Sequence, residues 1–348
     1  MSRSLQLGVL DQSPVSEGAD GAIALRRSVD LAALAEQLGY GRYWVAEHHG
    51  HPMIAGASPE VLIAAIAAHT SSIRVGSGGV MLPHYSPLKV AENFAALCGL
   101  YPGRIDLGIG RAPGSDPHTM LALQRDRRQL APDDFPDQLA ELLAYLEDDF
   151  PPGHPLARLA ALPGGPERPE VWLLGSSAQS GEWAAQLGLP YAFADFFSTA
   201  AGAAITRRYR ERFEPSRRLA EPHVAIAVAA ICAESDTEAQ RLASSLRMSA
   251  VLRERGRAVP LASVEDALAF LERHGDPPPA GSARRAVVGS PETVRAGLES
   301  VAEEYGADEV LVVTMTHEHG ARRRSYELIA DVFALRGDAQ AADPLLAG

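Results

Sequence analysis

Apolar residues along this chain gather in short runs that alternate with longer stretches of helical period. The runs Gln6–Leu10, Tyr43–Ala46, Ile73–Gly76, Ile105–Ile109, Val171–Leu174, Tyr191–Ala194, Val224–Ile231 and Val310–Val313 have the length and β-branched content of buried strands. Between them, Ala24–Leu38, Glu60–His69, Leu88–Leu100, Glu182–Leu187 and Arg322–Leu335 carry the 3.6-residue period. In the third of these helices Val90, Phe94, Leu97 and Tyr101 make one stripe, with Ser86-Pro87 offering a capping hydroxyl and a first-turn proline. Eight strands with helical connections predict a parallel (β/α)8 TIM barrel, with a doubly wound open sheet as the alternative.

Two connections are too long for a plain barrel, so insertions are expected after strands four and seven. Residues 117–169 hold a helical segment, Asp137–Leu146, and a Pro/Gly-rich connector. Residues 236–308 exceed one crossover several times over. Their middle, 253–285, mixes arginines with Pro277-Pro278-Pro279 and Gly281, which predicts little buried apolar surface and a mobile lid over the barrel mouth. Residues 1–348 otherwise read as a single domain.

With 348 residues, 46% hydrophobic, the chain can bury a large core. Its net charge of −12 is spread along the sequence, which argues against a nucleic-acid or anionic-membrane partner. Cys98 and Cys232 lie apart in apolar contexts and read as buried thiols. No apolar run reaches membrane-spanning length and no leader pattern opens the chain, so a cytoplasmic location is expected.

In a parallel barrel the chemistry sits where the strands end. Those positions are Asp11-Gln12, Glu47-His48-His49, Ser77-Gly78-Gly79, Gly110-Arg111, Gly175-Ser176-Ser177, Asp195-Phe196, and Thr314, Thr316 and His317. Strand four alternates Ile105, Leu107 and Ile109 with Asp106, Gly108 and Gly110, so its glycines should face the interior and admit a flat ligand. Ser176, Ser177 and Ser180 open a helix beside Arg111, an arrangement suited to an anion, although a serine there is also an ordinary N-cap. The cluster Glu47-His48-His49-Gly50-His51 could ligate a metal in a hydrolase. The other strand ends supply few further ligands, and a strand-end histidine also serves as a general base. Asp11, Asp195 and Phe196 are candidate substrate contacts.

Three segments are specific: Trp44-Val45-Ala46-Glu47-His48-His49, Arg74 to Pro83, and Leu100 to Gly114. Leu174-Gly175-Ser176-Ser177 and Val288-Gly289-Ser290-Pro291-Glu292 add to them. Together they resemble the luciferase-like flavin monooxygenases over essentially the whole chain. The resemblance implies reduced FMN as cofactor, O2 and a small organic molecule as substrates, a separate flavin reductase as donor, and a homodimer. It assigns His48 as the base, and Gly78-Gly79, often joined by a cis peptide in the family, as the surface under the flavin ring. Arg111, Ser176, Ser177 and Ser180 become the phosphate contacts. Luciferase itself has glutamate at the place of Ser176, cysteine at that of Gly110 and tryptophan after strand six, so neither an aldehyde substrate nor light emission is carried over. No GxGxxG fingerprint is present, in keeping with a reductase on another chain. Deazaflavin-dependent hydride transfer and non-catalytic flavin binding remain the alternatives.

Overall fold

The computed structural model describes residues 5–111, 117–124, 134–159, 162–198, 201–276 and 286–336. Strand and helix alternate from the start: β1 (Gln6–Asp11), α1 (Gly21–Leu38), β2 (Arg42–Val45), α2 (Pro59–Ala67), β3 (Arg74–Met81), α3 (Pro87–Leu100) and β4 (Ile105–Gly110). The first insertion supplies α4 (Pro117–Leu123) and α5 (Phe135–Glu147). Alternation resumes with β5 (Glu170–Gly175), α6 (Ala178–Gln186), β6 (Tyr191–Ala194), α7 (Gly202–Arg212) and β7 (Val224–Cys232). The second insertion holds α8 (Asp236–Leu242), α9 (Ser244–Glu254), α10 (Val264–His274), β8 (Ala286–Gly289) and α11 (Pro291–Tyr305). β9 (Glu309–Val313) and α12 (His319–Phe333) complete the described chain.

Eight strands close a parallel barrel in the order β1-β2-β3-β4-β5-β6-β7-β9, with β9 returning to β1. This is the (β/α)8 fold that the alternating pattern predicts. A ninth strand, β8, adds in parallel to the C-terminal half of β7, pairing Ala286–Gly289 with Ala229–Cys232. Sequence reading missed it, because a four-residue run inside a long connection gives almost no periodicity. No helix among the described residues is long and apolar enough to cross a membrane.

Alternation along the strands divides the apolar residues between two cores. Ile105, Leu107 and Ile109 of β4 point outward against the helices, together with Val90, Phe94 and Leu97 of α3. Pro87 opens α3 as expected, but the Ser86 hydroxyl makes no cap bond; only its carbonyl accepts from Val90 N–H, at 3.1 Å. Leu10, Trp44, Trp172, Ala227 and Leu311 face inward and fill the barrel.

Below them the N-terminal end of the barrel is closed by ions. Arg42 bonds Asp106 at 2.6 Å and Glu309 at 2.8 Å, and Arg74 bonds Asp106 at 2.5 Å. The Arg42 guanidinium also lies 4.7 Å from the Trp172 ring centre. Each buried charge thus has a partner, which offsets the cost of taking it out of water. Among the described residues the barrel cavity opens at the C-terminal ends of the strands.

Part of the second insertion buries apolar residues that its composition does not announce. Leu261 is fully buried in the interior cluster, and its backbone exchanges hydrogen bonds with Val15 and Glu17 at 2.9 and 2.7 Å. Val264, Ala267 and Leu271 recur at helical spacing and are buried along α10. Prolines and arginines on either side drew attention away from that stripe. Pro277, Pro278, Pro279 and Gly281 lie outside the described residues.

Candidate active site

One cavity of about 320 Å³ opens at the C-terminal end of the barrel. Its lining joins His48, Gly78, Gly79, Arg111, Ser176, Ser177, Ser180 and Phe196, eight positions far apart in sequence. All lie at or beyond the ends of strands, as barrel geometry requires.

The floor is made of missing side chains. β3 runs on to Met81, beyond its predicted end, through a cis peptide between Gly78 and Gly79 and a break in register against β4. A Cβ on Gly78 would stand 2.5 Å from Leu10 Cδ1, and one on Gly108 only 2.2 Å from the Ser77 carbonyl oxygen. Gly110 is different: a Cβ there would meet nothing nearer than the Val80 carbonyl oxygen at 4.0 Å. Gly108 is needed by the packing of the barrel, whereas at Gly78 the nearest atom is the end of a leucine side chain that can shift. Gly110 leaves open space that a flat ligand can enter.

At one end stands the start of α6. Ser177 caps it, its hydroxyl accepting from Ser180 N–H at 3.3 Å. The Ser180 hydroxyl bonds the Ser177 carbonyl at 2.8 Å and meets Tyr191 Oη at 3.0 Å, so it is already engaged within the protein. Arg111 is exposed, donates to Gln179 Oε1 at 2.9 Å, and lies 5.8 Å from the Trp183 ring centre. A helix N-terminus with one guanidinium beside it is an arrangement suited to an anion.

His48 lines the cavity beside β2. Its backbone N–H donates to the Gly56 carbonyl at 2.7 Å, while the ring Nδ1 is buried without a partner. Burial pushes its pKa down to about 4, with smaller contributions from His51 and His49, so the imidazole is neutral through the physiological range. Glu47, the preceding residue, is offered by the sequence only as a strand-end position and a member of the histidine cluster, with no role of its own. Its buried carboxylate accepts from Met81 N–H at 2.8 Å and Tyr85 Oη at 2.8 Å and contacts His49 Nε2 at 2.7 Å. It thereby ties the His48 segment to the chain just after the glycine pair. A carboxylate at the end of an otherwise apolar strand was the available signal.

Two candidate substrate contacts are corrected. Asp11 is fully buried but points away from the cavity, bonded to Arg322 at 2.5 Å, Tyr43 Oη at 2.5 Å and Ser13 N–H at 2.7 Å. The Arg322 charge and these hydrogen bonds outweigh desolvation and hold its pKa below the usual carboxylate range. Asp195 likewise turns outward and accepts from Tyr305 Oη at 2.5 Å. The residues flanking them face inward instead: Leu10 and Gln12 around Asp11, Ala194 and Phe196 around Asp195.

The profile of the family described as luciferase-like monooxygenase matches residues 5–309. N-acetyl-S-alkylcysteine monooxygenase of Bacillus subtilis (strain 168) is 38% identical, over 94% of this chain and 98% of that protein. The crystal structure of apo-MsnO8 superposes with a TM-score of 0.88 at 43% identity, covering 96% of this chain and 98% of that one. The oxygenating constituent of 3,6-diketocamphane monooxygenase from Pseudomonas putida, in complex with FMN, gives 0.70 at 21% identity over 95% and 98%.

Proposed function

The chain belongs to the luciferase-like monooxygenase family, and from that premise we propose that its cavity holds reduced FMN and that one atom of dioxygen passes to a small organic substrate there. The observation that carries this is the order of groups along one cavity. Anion-binding groups stand at Arg111 and α6, bare backbone at Gly78, Gly79 and Gly110, and a neutral imidazole at His48. A phosphate, a planar ring and a proton acceptor need those three environments.

Bound flavin supplies the redox chemistry. The chain's own residues do the rest. Arg111 and the N-terminus of α6 hold the phosphate, Ser176 and Ser177 border it, and the α6 cap keeps those N–H groups aimed. The glycines let the ring approach the backbone. His48, free of any partner at Nδ1, can accept a proton at that atom across the physiological range. Leu246 and Leu261 roof the interior from α9 and the following loop, which keeps water from the reacting centre. The lid role of 253–285, the reductase that delivers reduced flavin, and a homodimer belong to the same proposal.

The test is a single turnover with photoreduced FMN, ¹⁸O2 and a panel of small ketones and thioethers that includes N-acetyl-S-benzylcysteine. The proposal expects a product heavier by one ¹⁸O atom, formed only when FMN is present. Substrate reduced or oxidised without ¹⁸O, under the same conditions, would replace oxygenation by hydride transfer.

A further inference from the structure

Gln12 is 3% exposed, lines the cavity, and makes no side-chain hydrogen bond among the described residues; its Nε2 is buried there without a partner. Buried amides ordinarily find partners, so an unsatisfied one facing a cavity marks a place where a ligand supplies what is missing. The chain takes trouble to aim it. Asp11, clamped outside the barrel by Arg322 and Tyr43, accepts from Ser13 N–H, and Ser13 sits at a positive φ of 47°. That turn fixes the strand end, and alternation then sends Gln12 inward.

The surroundings narrow what it can recognise. On the same side the lining is Leu10, Trp44, Ala227, Leu311 and Phe196, all apolar. Among the described lining residues only Glu47 and Arg111 are charged. Glu47 is held by three internal contacts, and Arg111 stands at the opposite, anion-binding end. With His48 neutral, no charge is available beside Gln12 to offset that of an ionic group.

We propose that Gln12 is the specificity-determining residue of this site: its carboxamide hydrogen-bonds an uncharged polar group, such as a ketone or amide oxygen, on an otherwise apolar substrate. This rests on the cavity being the substrate chamber of the proposed oxygenase. It adds that the part of the substrate lying there is neutral and has one hydrogen-bonding handle.

A matched pair of probes tests it: octan-2-one and 2-methyl-1-octene, which differ by an oxygen in place of a CH2. Binding is read by quenching of tryptophan fluorescence, since Trp44 and Trp183 line the cavity. Gln12→Leu should weaken the ketone about tenfold, the worth of one hydrogen bond, and leave the alkene unchanged or tighter. FMN affinity should not change, and the melting temperature of the free protein should hold or rise, because an unpaired buried donor is removed. The proposal is overturned if the ketone fails to bind the wild type, if both probes or neither respond to the substitution, or if the variant loses FMN. A melting temperature lower by several degrees also overturns it, by making the amide a structural group. Normal ketone discrimination in a protein that does not bind FMN would spare Gln12 and defeat the cofactor assignment alone.

Discussion

At the scale of single residues, His48 carries the sharpest consequence. Burial lowers its pKa from 6.5 to about 4, so the unfolded chain binds the proton more readily between those values. Stability should therefore fall as pH drops from about 6.5 towards 4, and His48→Gln should make that fall shallower in melting curves taken across the window. His51, also lowered by burial and by Arg253, keeps part of the slope in the variant. Catalysis should keep its base down to about pH 4, not lose it near 6.5, and His48→Ala should slow product formation by about 10²–10⁴ while FMN still binds. Loss of flavin, with turnover of the remaining holoenzyme normal, would make His48 a binding residue. His48, Arg111 and the glycine pair were legible in the sequence because each stands at a strand end within a specific motif. Asp11 and Asp195 were misread for a reason visible in the same strands. Side chains alternate, so once Leu10 and Ala194 face inward their successors must face out.

At the scale of elements, β3 and β4 show how alike residues do different work. Gly108 and Gly110 are two apart on one face, yet a methyl on Gly108 would collide with the Ser77 carbonyl while one on Gly110 would enter empty space. Gly108→Ala should cost about 1–3 kcal/mol of stability through overpacking. Gly110→Ala should melt like the wild type and bind FMN several-fold more weakly. Equal melting temperatures for the two variants, or unchanged FMN affinity in Gly110→Ala, would refute that division. The sequence pointed to both glycines as interior but could not separate them, because the distinction depends on the neighbouring strand's carbonyl and on Leu174. The ion cluster beneath the cavity was equally hidden: Arg42, Arg74, Asp106 and Glu309 are scattered in sequence and meet only when the barrel closes.

At the scale of the whole molecule, the barrel came from the regular pattern of strand and helix, and its irregular parts did not. β8, the buried stripe of α10 and the seat of Leu261 are tertiary additions to the barrel, and their apolar residues are too few and too spaced to announce themselves. What the assembly presents is a chamber with paired charges beneath it and its proposed anion-binding end at α6. The account stands on that end holding the phosphate of FMN. An anaerobic fluorescence titration with reduced FMN and reduced riboflavin, on wild type and Arg111→Ala, tests it directly. The account predicts FMN bound at least tenfold more tightly than riboflavin by the wild type. Arg111→Ala should remove most of that difference, about 1.5–3 kcal/mol for a charge-assisted contact. Equal affinity for the two flavins in the wild type would contradict it.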